Sequence, residues 1–219
     1  MSALDTGVRE RPILFSGPMV RAILEDRKTK TRRVVEAKAS WERPAGYRYA
    51  TIRMRDDFDA EIYWPAFPDF KPIRVRNRYG QPGDRLWVRE AFFDHGPFDA
   101  AHPELTKLNE RIEYREDEWD RAGGDAGGGW KPSIFMPRWA SRLTLEITEV
   151  RVEWLQDISE DDAIAEGVDA IPLAAVPRHG TLSRRVDFMQ LWDKLNAKRG
   201  YGWDANPWVW VIGFTVVTP

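Results

Sequence analysis

The sequence predicts an α+β fold, a small mixed β-barrel or curved sheet with helices at its openings, and three observations carry that expectation. "NPWVWVIGFTVV" (206–217) is a near-continuous apolar run, the pattern of a strand covered on both faces. Leu143, Leu145 and Ile147, then Val150 and Val152, alternate as a half-buried strand does. "RPILFSGPMVRAILEDRKT" passes from a short strand into a helix.

The elements follow in order. Ile13 to Phe15 reads as a strand; Ser16 suits a helix cap, Pro18 a first turn, and Val20, Ile23 and Leu24 recur at helical spacing until about Asp26. "TKTRRVV" is rich in β-branched residues and reads as the next strand. Residues 36–81 form an excursion in which "YRYATIRMR" and "AEIYW" can pair as a hairpin. Pro82-Gly83-Asp84 is a turn before the strand "RLWVRE". A second excursion, 93–141, carries the acidic run "EYREDEWD" and the flexible "GGDAGGGW". After the long strand, Ser159 and Asp162 have capping-box-like spacing for a short helix, and Phe188, Leu191, Trp192 and Leu195 share one face of a longer one. The order β-α-β, β, β-α, α, β shows no repeat and suits one domain over 1–219 with two insertions.

Composition narrows the function classes. Thirty-three basic against thirty-five acidic residues give a net charge of −2, so nucleic-acid contact must come from a local patch. With no cysteine there is no disulfide framework, thiolate nucleophile or cysteine-based metal site. His95, His102 and His179 are scattered, so neither a metal nor another cofactor is expected. No apolar run approaches the roughly 20 residues of a membrane span and the first residues lack an apolar signal core, which makes cytoplasmic residence the default expectation.

The densest positive patch is "LEDRKTKTRRVV" (24–35), with Arg27, Lys28, Lys30, Arg32 and Arg33. Strand alternation places Thr29, Thr31 and Arg33 on one face and Lys30 and Arg32 on the other. Lys30 and Arg32 read as surface cations of a strand edge. Lys28 can join Thr31 only from the turn before the pleat begins. Arg33, beside Thr31, can grip a phosphate or carbonyl through two parallel hydrogen bonds.

In their order, "ILEDRKTKTRR" (23–33), "PGDRLWVRE" (82–90), "LTLEITEVRVEWLQDISEDDAIAEGV" (143–168) and "NPWVWVIGF" (206–214) resemble the ASCH domain family. With its two excursions the chain resembles the longer ASCH-containing proteins of phages and prophages. Asp26 stands where the family often has glycine, and aspartate also tolerates left-handed backbone. The resemblance implies a PUA-like β-barrel with helices at its ends, and binding of RNA or a modified nucleotide. Some members are amidohydrolases that deacetylate N4-acetylcytidine; their catalytic lysine, threonine and glutamate fall on Lys28, Thr31 and Glu166. By that resemblance, the lysine activates the threonine hydroxyl for attack on an amide carbonyl and the glutamate moves the proton to the leaving amine.

Each residue also has a plain structural reading: a solvated turn lysine, a β-branched strand residue, a helix-end carboxylate. Arg85, Trp87 and Arg89 share a strand face, read as an aromatic under arginine stems or as a stacking surface with phosphate contacts. Tyr201 and Trp203 in "GYGWDANPW" can plug a barrel end or cap a flipped base. A ligand-binding module, an amidohydrolase, a ribonuclease and a structural phage interaction protein are the functions weighed. The lysine–threonine–glutamate trio favours a pocket, and near-neutral charge favours a single nucleotide over broad RNA coating.

Overall fold

The computed structural model describes residues 7–36, 51–56, 58–63, 65, 69, 71–94, 112–114, 130–168 and 183–217. In chain order these form β1 (Glu10–Leu14), α1 (Gly17–Leu24), β2 (Lys30–Val34), β3 (Thr51–Met54), β4 (Ala60–Tyr63), β5 (Ile73–Val75), β6 (Arg85–Arg89), β7 (Phe92–Asp94), β8 (Ile112–Tyr114), β9 (Thr144–Trp154), α2 (Glu160–Ala165), α3 (Arg184–Asn196) and β10 (Trp208–Val217). The fold is mixed α+β with sheets dominant.

The principal sheet has the order β1-β6-β9-β10-β2. β1 and β6 pair in parallel; the other neighbours are antiparallel. The residues expected to alternate form one continuous strand, β9, paired along β10 with a register shift at Gly213/Phe214. Such a bulge bends a long ladder. The apolar run of β10 is explained by its two coverings. Trp210, Ile212 and Phe214 face the main core, whereas Val209 and Val211 face a second core with Phe188 and Trp192 of α3.

The barrel expected from the strand order is not closed among the described residues: β1 and β2 are the sheet's edges and no ladder joins them. A side chain bridges them instead, because Arg33 Nη2 on β2 donates to the Leu14 carbonyl at the end of β1, 2.6 Å away.

The expected hairpin in the first excursion is present as β3–β4, and β5 extends it to three strands. Ala60, Ile62 and Val75 bury into the main core, so this excursion supplies core material. Within the second, β7 pairs with β8 and Phe92 and Ile112 pack with Met136 and Ala140 in a satellite core. Most of "EYREDEWD", and all of "GGDAGGGW" except Trp130, lie outside the described residues.

Candidate functional site

The opening patch of charge is organised by how α1 ends. Asp26 adopts φ +55°. The Arg27 amide donates to Ala22 O and the Asp26 amide to Ile23 O, which is the Schellman arrangement with aspartate in the position usually held by glycine. The chain therefore reverses before β2 begins, and Lys28 sits in that turn as an isolated bridge to Glu166. Thr29 N donates to Ala165 O, which fastens the end of α2 to the start of β2. Gly167 follows at φ +73°, where a Cβ would stand 2.6 Å from Lys28 Cβ.

Lys28 is 1% exposed, which overturns the plain reading of a solvated turn lysine. Its ammonium donates to Lys30 O, Glu166 O and Glu166 Oε2, each at 2.8 Å, so all three protons are used. Burial pushes the Lys28 pKa down and Glu166 pulls it partly back. The lysine thus reaches Glu166, and none of its hydrogen bonds goes to Thr31.

Arg32 corrects a second expectation. It is 4% exposed and carries no strand-edge role, because α2 and β9 cover that face with carboxylates. Its guanidinium binds Glu153 Oε1 (2.6 Å), Asp162 Oδ2 (2.6 Å) and Glu166 Oε1 (3.3 Å). Lys30 binds Asp162 Oδ1 at 2.6 Å, and Arg151 also pairs with Asp162 and Glu153. The Ser159 hydroxyl caps α2 through the Asp162 amide, as the spacing predicts. The Asp162 carboxyl is turned instead to the cations. Burial alone would raise its pKa; hydrogen bonds from Lys30 and Arg32, with the charges of Arg32 and Arg151, hold it at about 2.

A cavity of about 320 Å³ wraps the free edge of β2. Thr31, Arg33 and Glu166 all line it, whereas Lys28 lies behind Glu166. Tyr79 from the first excursion and Phe188 and Trp192 of α3 supply aromatic wall. Arg33 lies over the Phe15 ring at 5.1 Å, and its Nε is buried with no hydrogen-bond partner. Burial lowers the pKa of Arg33, opposed by Tyr79 and Glu166, and burial raises that of Tyr79. An arginine nonetheless stays cationic, so the cavity holds a positive charge with a spare donor, a carboxylate acceptor and apolar rings.

The remaining sequence candidates fall elsewhere. Arg85, Trp87 and Arg89 lie on the face of β6 opposite the core residues Leu86 and Val88, and none lines the cavity. Arg89 lies over Trp87 at 5.0 Å and donates to Met136 O, an aromatic packed under an arginine stem. Glu90 is buried against Arg142 in a two-bond pair. Tyr201 and Trp203 also stay outside the cavity but brace its wall: Tyr201 O accepts from Trp192 Nε1, and Trp203 meets Phe188 edge-on at 6.4 Å. Sequence reading missed Tyr79, which sits in an excursion with no periodic signal, and took the α3 face for ordinary core. The exposure of Leu195 on that same face marks where it lines the cavity.

Among the described residues no group of three His, Asp or Glu side chains is placed to hold a metal ion, and no helix is long and apolar enough to cross a membrane. Comparisons with protein-family models, curated proteins and solved structures found no match.

Proposed function

We propose that the chain is an ASCH-type protein of PUA-like fold that binds a nucleobase-bearing ligand, an RNA nucleotide or a modified nucleoside, in the cavity at the edge of β2. The observation that carries this reading is the half-buried Arg33, whose guanidinium has a buried Nε with no hydrogen-bond partner and is set between aromatic walls and the Glu166 carboxylate. A buried donor without a partner costs about 1–3 kcal/mol, and a carbonyl or phosphate oxygen of a ligand removes that penalty. Tyr79, only half-buried, can meet the face of a base, Glu166 can accept from an exocyclic amine, and the volume matches the small end of ligand pockets. The near approach of β1 and β2 across Arg33 supports a barrel-like ancestry for the sheet. Calorimetric titration with cytidine, N4-acetylcytidine and adenosine tests the reading. Binding lost in Arg33→Met is expected, and no binding of any nucleoside or short RNA by wild type would sink it.

A second reading, an amidohydrolase for acylated cytidines, is favoured by one observation: the buried Lys28–Glu166 pair, whose Glu166 lines the same cavity as Thr31. Thr31 Oγ1 would attack the acetyl carbonyl and give its proton to a neutral Lys28; the C–N bond then breaks as the cytidine amine leaves with a proton delivered through Glu166, and water hydrolyses the acyl-threonine to acetate. Lys28 must exchange one of its three contacts for the Thr31 hydroxyl, so turnover requires a small rearrangement. Chromatography of N4-acetylcytidine incubated with wild type, Lys28→Ala and Thr31→Ala decides it; unchanged substrate with wild type removes this reading for that substrate.

A further inference from the structure

A second cavity of about 330 Å³ lies where the first excursion meets the start of β1, and its wall is built of guanidiniums: Arg9 and Arg11 from the β1 end, Arg74 and Arg76 from the β5 end. Two buried carboxylates, Asp59 and Asp84, line it as well. Their bonding is internal. Asp84 accepts from Arg11 Nη1 (2.9 Å), Arg9 N (3.1 Å) and Gln81 N (3.2 Å), and Asp59 accepts from Arg74 Nε (2.7 Å) and Asn77 N (2.9 Å). Asp84 thereby engages the Arg11 side chain and Asp59 that of Arg74. Arg9 and Arg76 have no ion-pair partner among the described residues and leave an excess of two positive charges. Gly80, at φ +120°, shows how tightly this wall is packed: a Cβ there would lie 2.6 Å from Arg11 Nη1 and 2.7 Å from Asp84 Oδ2.

The short segment Asn77–Gly80 contributes to both cavities. Tyr79 lines the nucleobase cavity, and its neighbours Asn77 and Gly80 line the arginine cavity. We infer that Arg9 and Arg76 bind a phosphodiester of a single-stranded RNA whose neighbouring nucleotide places its base in the cavity beside Arg33. The inference rests on the nucleobase reading and extends it from a free nucleoside to a nucleotide within a strand. Two guanidiniums can clamp one phosphodiester, which agrees with a chain whose overall charge cannot support broad RNA coating.

The test compares cytidine with a fluorescent cytidine-containing RNA decanucleotide on wild type, Arg9→Ala/Arg76→Ala and Arg53→Ala. Arg53 is an exposed arginine outside both cavities. Arg9 and Arg76 are exposed, so the double variant keeps its fold, which its melting curve checks. Wild type is expected to bind the RNA more tightly than cytidine. The double variant should lose at least about tenfold in RNA affinity and flatten the log K against log salt slope by about 0.7, the value for one phosphate contact on a single strand. Its cytidine affinity and the RNA affinity of Arg53→Ala should not change. Equal RNA binding by wild type and double variant, or none by wild type, overturns the inference, and the cytidine arm then judges the nucleobase reading separately. Arginine-dependent RNA binding without cytidine binding keeps the phosphate site and removes that reading.

Discussion

Replacing Arg32 by methionine measures how far the charge cluster beneath β2 is withdrawn from water. Four cations, Lys28, Lys30, Arg32 and Arg151, meet four carboxylates, Glu149, Glu153, Asp162 and Glu166. Arg32 and Arg151 each touch three of the acids, but of the two only Arg32 has a side chain with no exposed surface. Removing one partner of a buried pair costs about 3–5 kcal/mol, because the orphaned charge stays desolvated. Here Asp162 keeps Lys30 and Arg151, Glu153 keeps Arg151 and Glu166 keeps Lys28, which places Arg32→Met near the lower end, about 3 kcal/mol. Arg151, whose side chain is 30% exposed, should cost under about 1 kcal/mol when replaced by methionine. Urea denaturation at constant m gives both values. Adding Glu153→Gln to Arg32→Met should recover part of the loss, since the cluster's excess negative charge goes with it and Arg151 keeps Glu149 and Asp162. If Arg32→Met costs no more than Arg151→Met, the cluster is effectively solvated and the argument fails.

Further outcomes are specific. The Asp162 shift contributes stability that is fully present above its ordinary value of 3.8 and disappears as pH falls toward about 2. It is worth at most about 2 kcal/mol and roughly 1 after solvent screening, and Lys30 and Arg151 hold part of it without Arg32, so the Arg32→Met deficit should narrow by less than about 1 kcal/mol between pH 6 and pH 2.5 in the same urea series. Asp26→Gly relieves the left-handed residue ending α1 and should stabilise by about 0.5–1 kcal/mol; a lower melting temperature would show that the Asp26 side chain matters more than its backbone. Gly167→Ala must both accept φ +73° and move Lys28 or Ala22, so a loss of about 2–3 kcal/mol is expected by denaturation. Ser159→Ala removes the α2 cap and should cost about 1 kcal/mol, measured in the same way.

Much of the fold was legible because its signals are local. The alternation of 143–152, the Ser159 cap and the two-sided apolar run of β10 each specify structure within about ten residues. The site was legible in part: parity put Thr31 and Arg33 together and both line the cavity, but so does Arg32 of the opposite set, because the cavity wraps the strand's edge. Arg32 was misread because nothing near it in sequence announces Glu153, Asp162 and Glu166, which arrive from more than a hundred residues away. Tyr79 and the arginine cavity depend on how the first excursion packs, which no periodicity encodes. Trp87 and Trp203 drew notice as large aromatics, yet composition cannot tell a wall from its brace.

The pairing of β2 with β10 has a consequence for how the chain reaches this structure. Thr31 finds Ile212 across the ladder, and Lys28 finds Glu166. Closing a loop of that length costs on the order of 5 kcal/mol before any contact rewards it, and such long-range pairings slow folding. On the ribosome, β2 and the cations around it emerge long before β10 and the carboxylates that neutralise them. Until then the segment around 24–35 is a solvated basic stretch, free of its partners. Its lysines and arginines keep an unpaired strand from joining another chain while it waits.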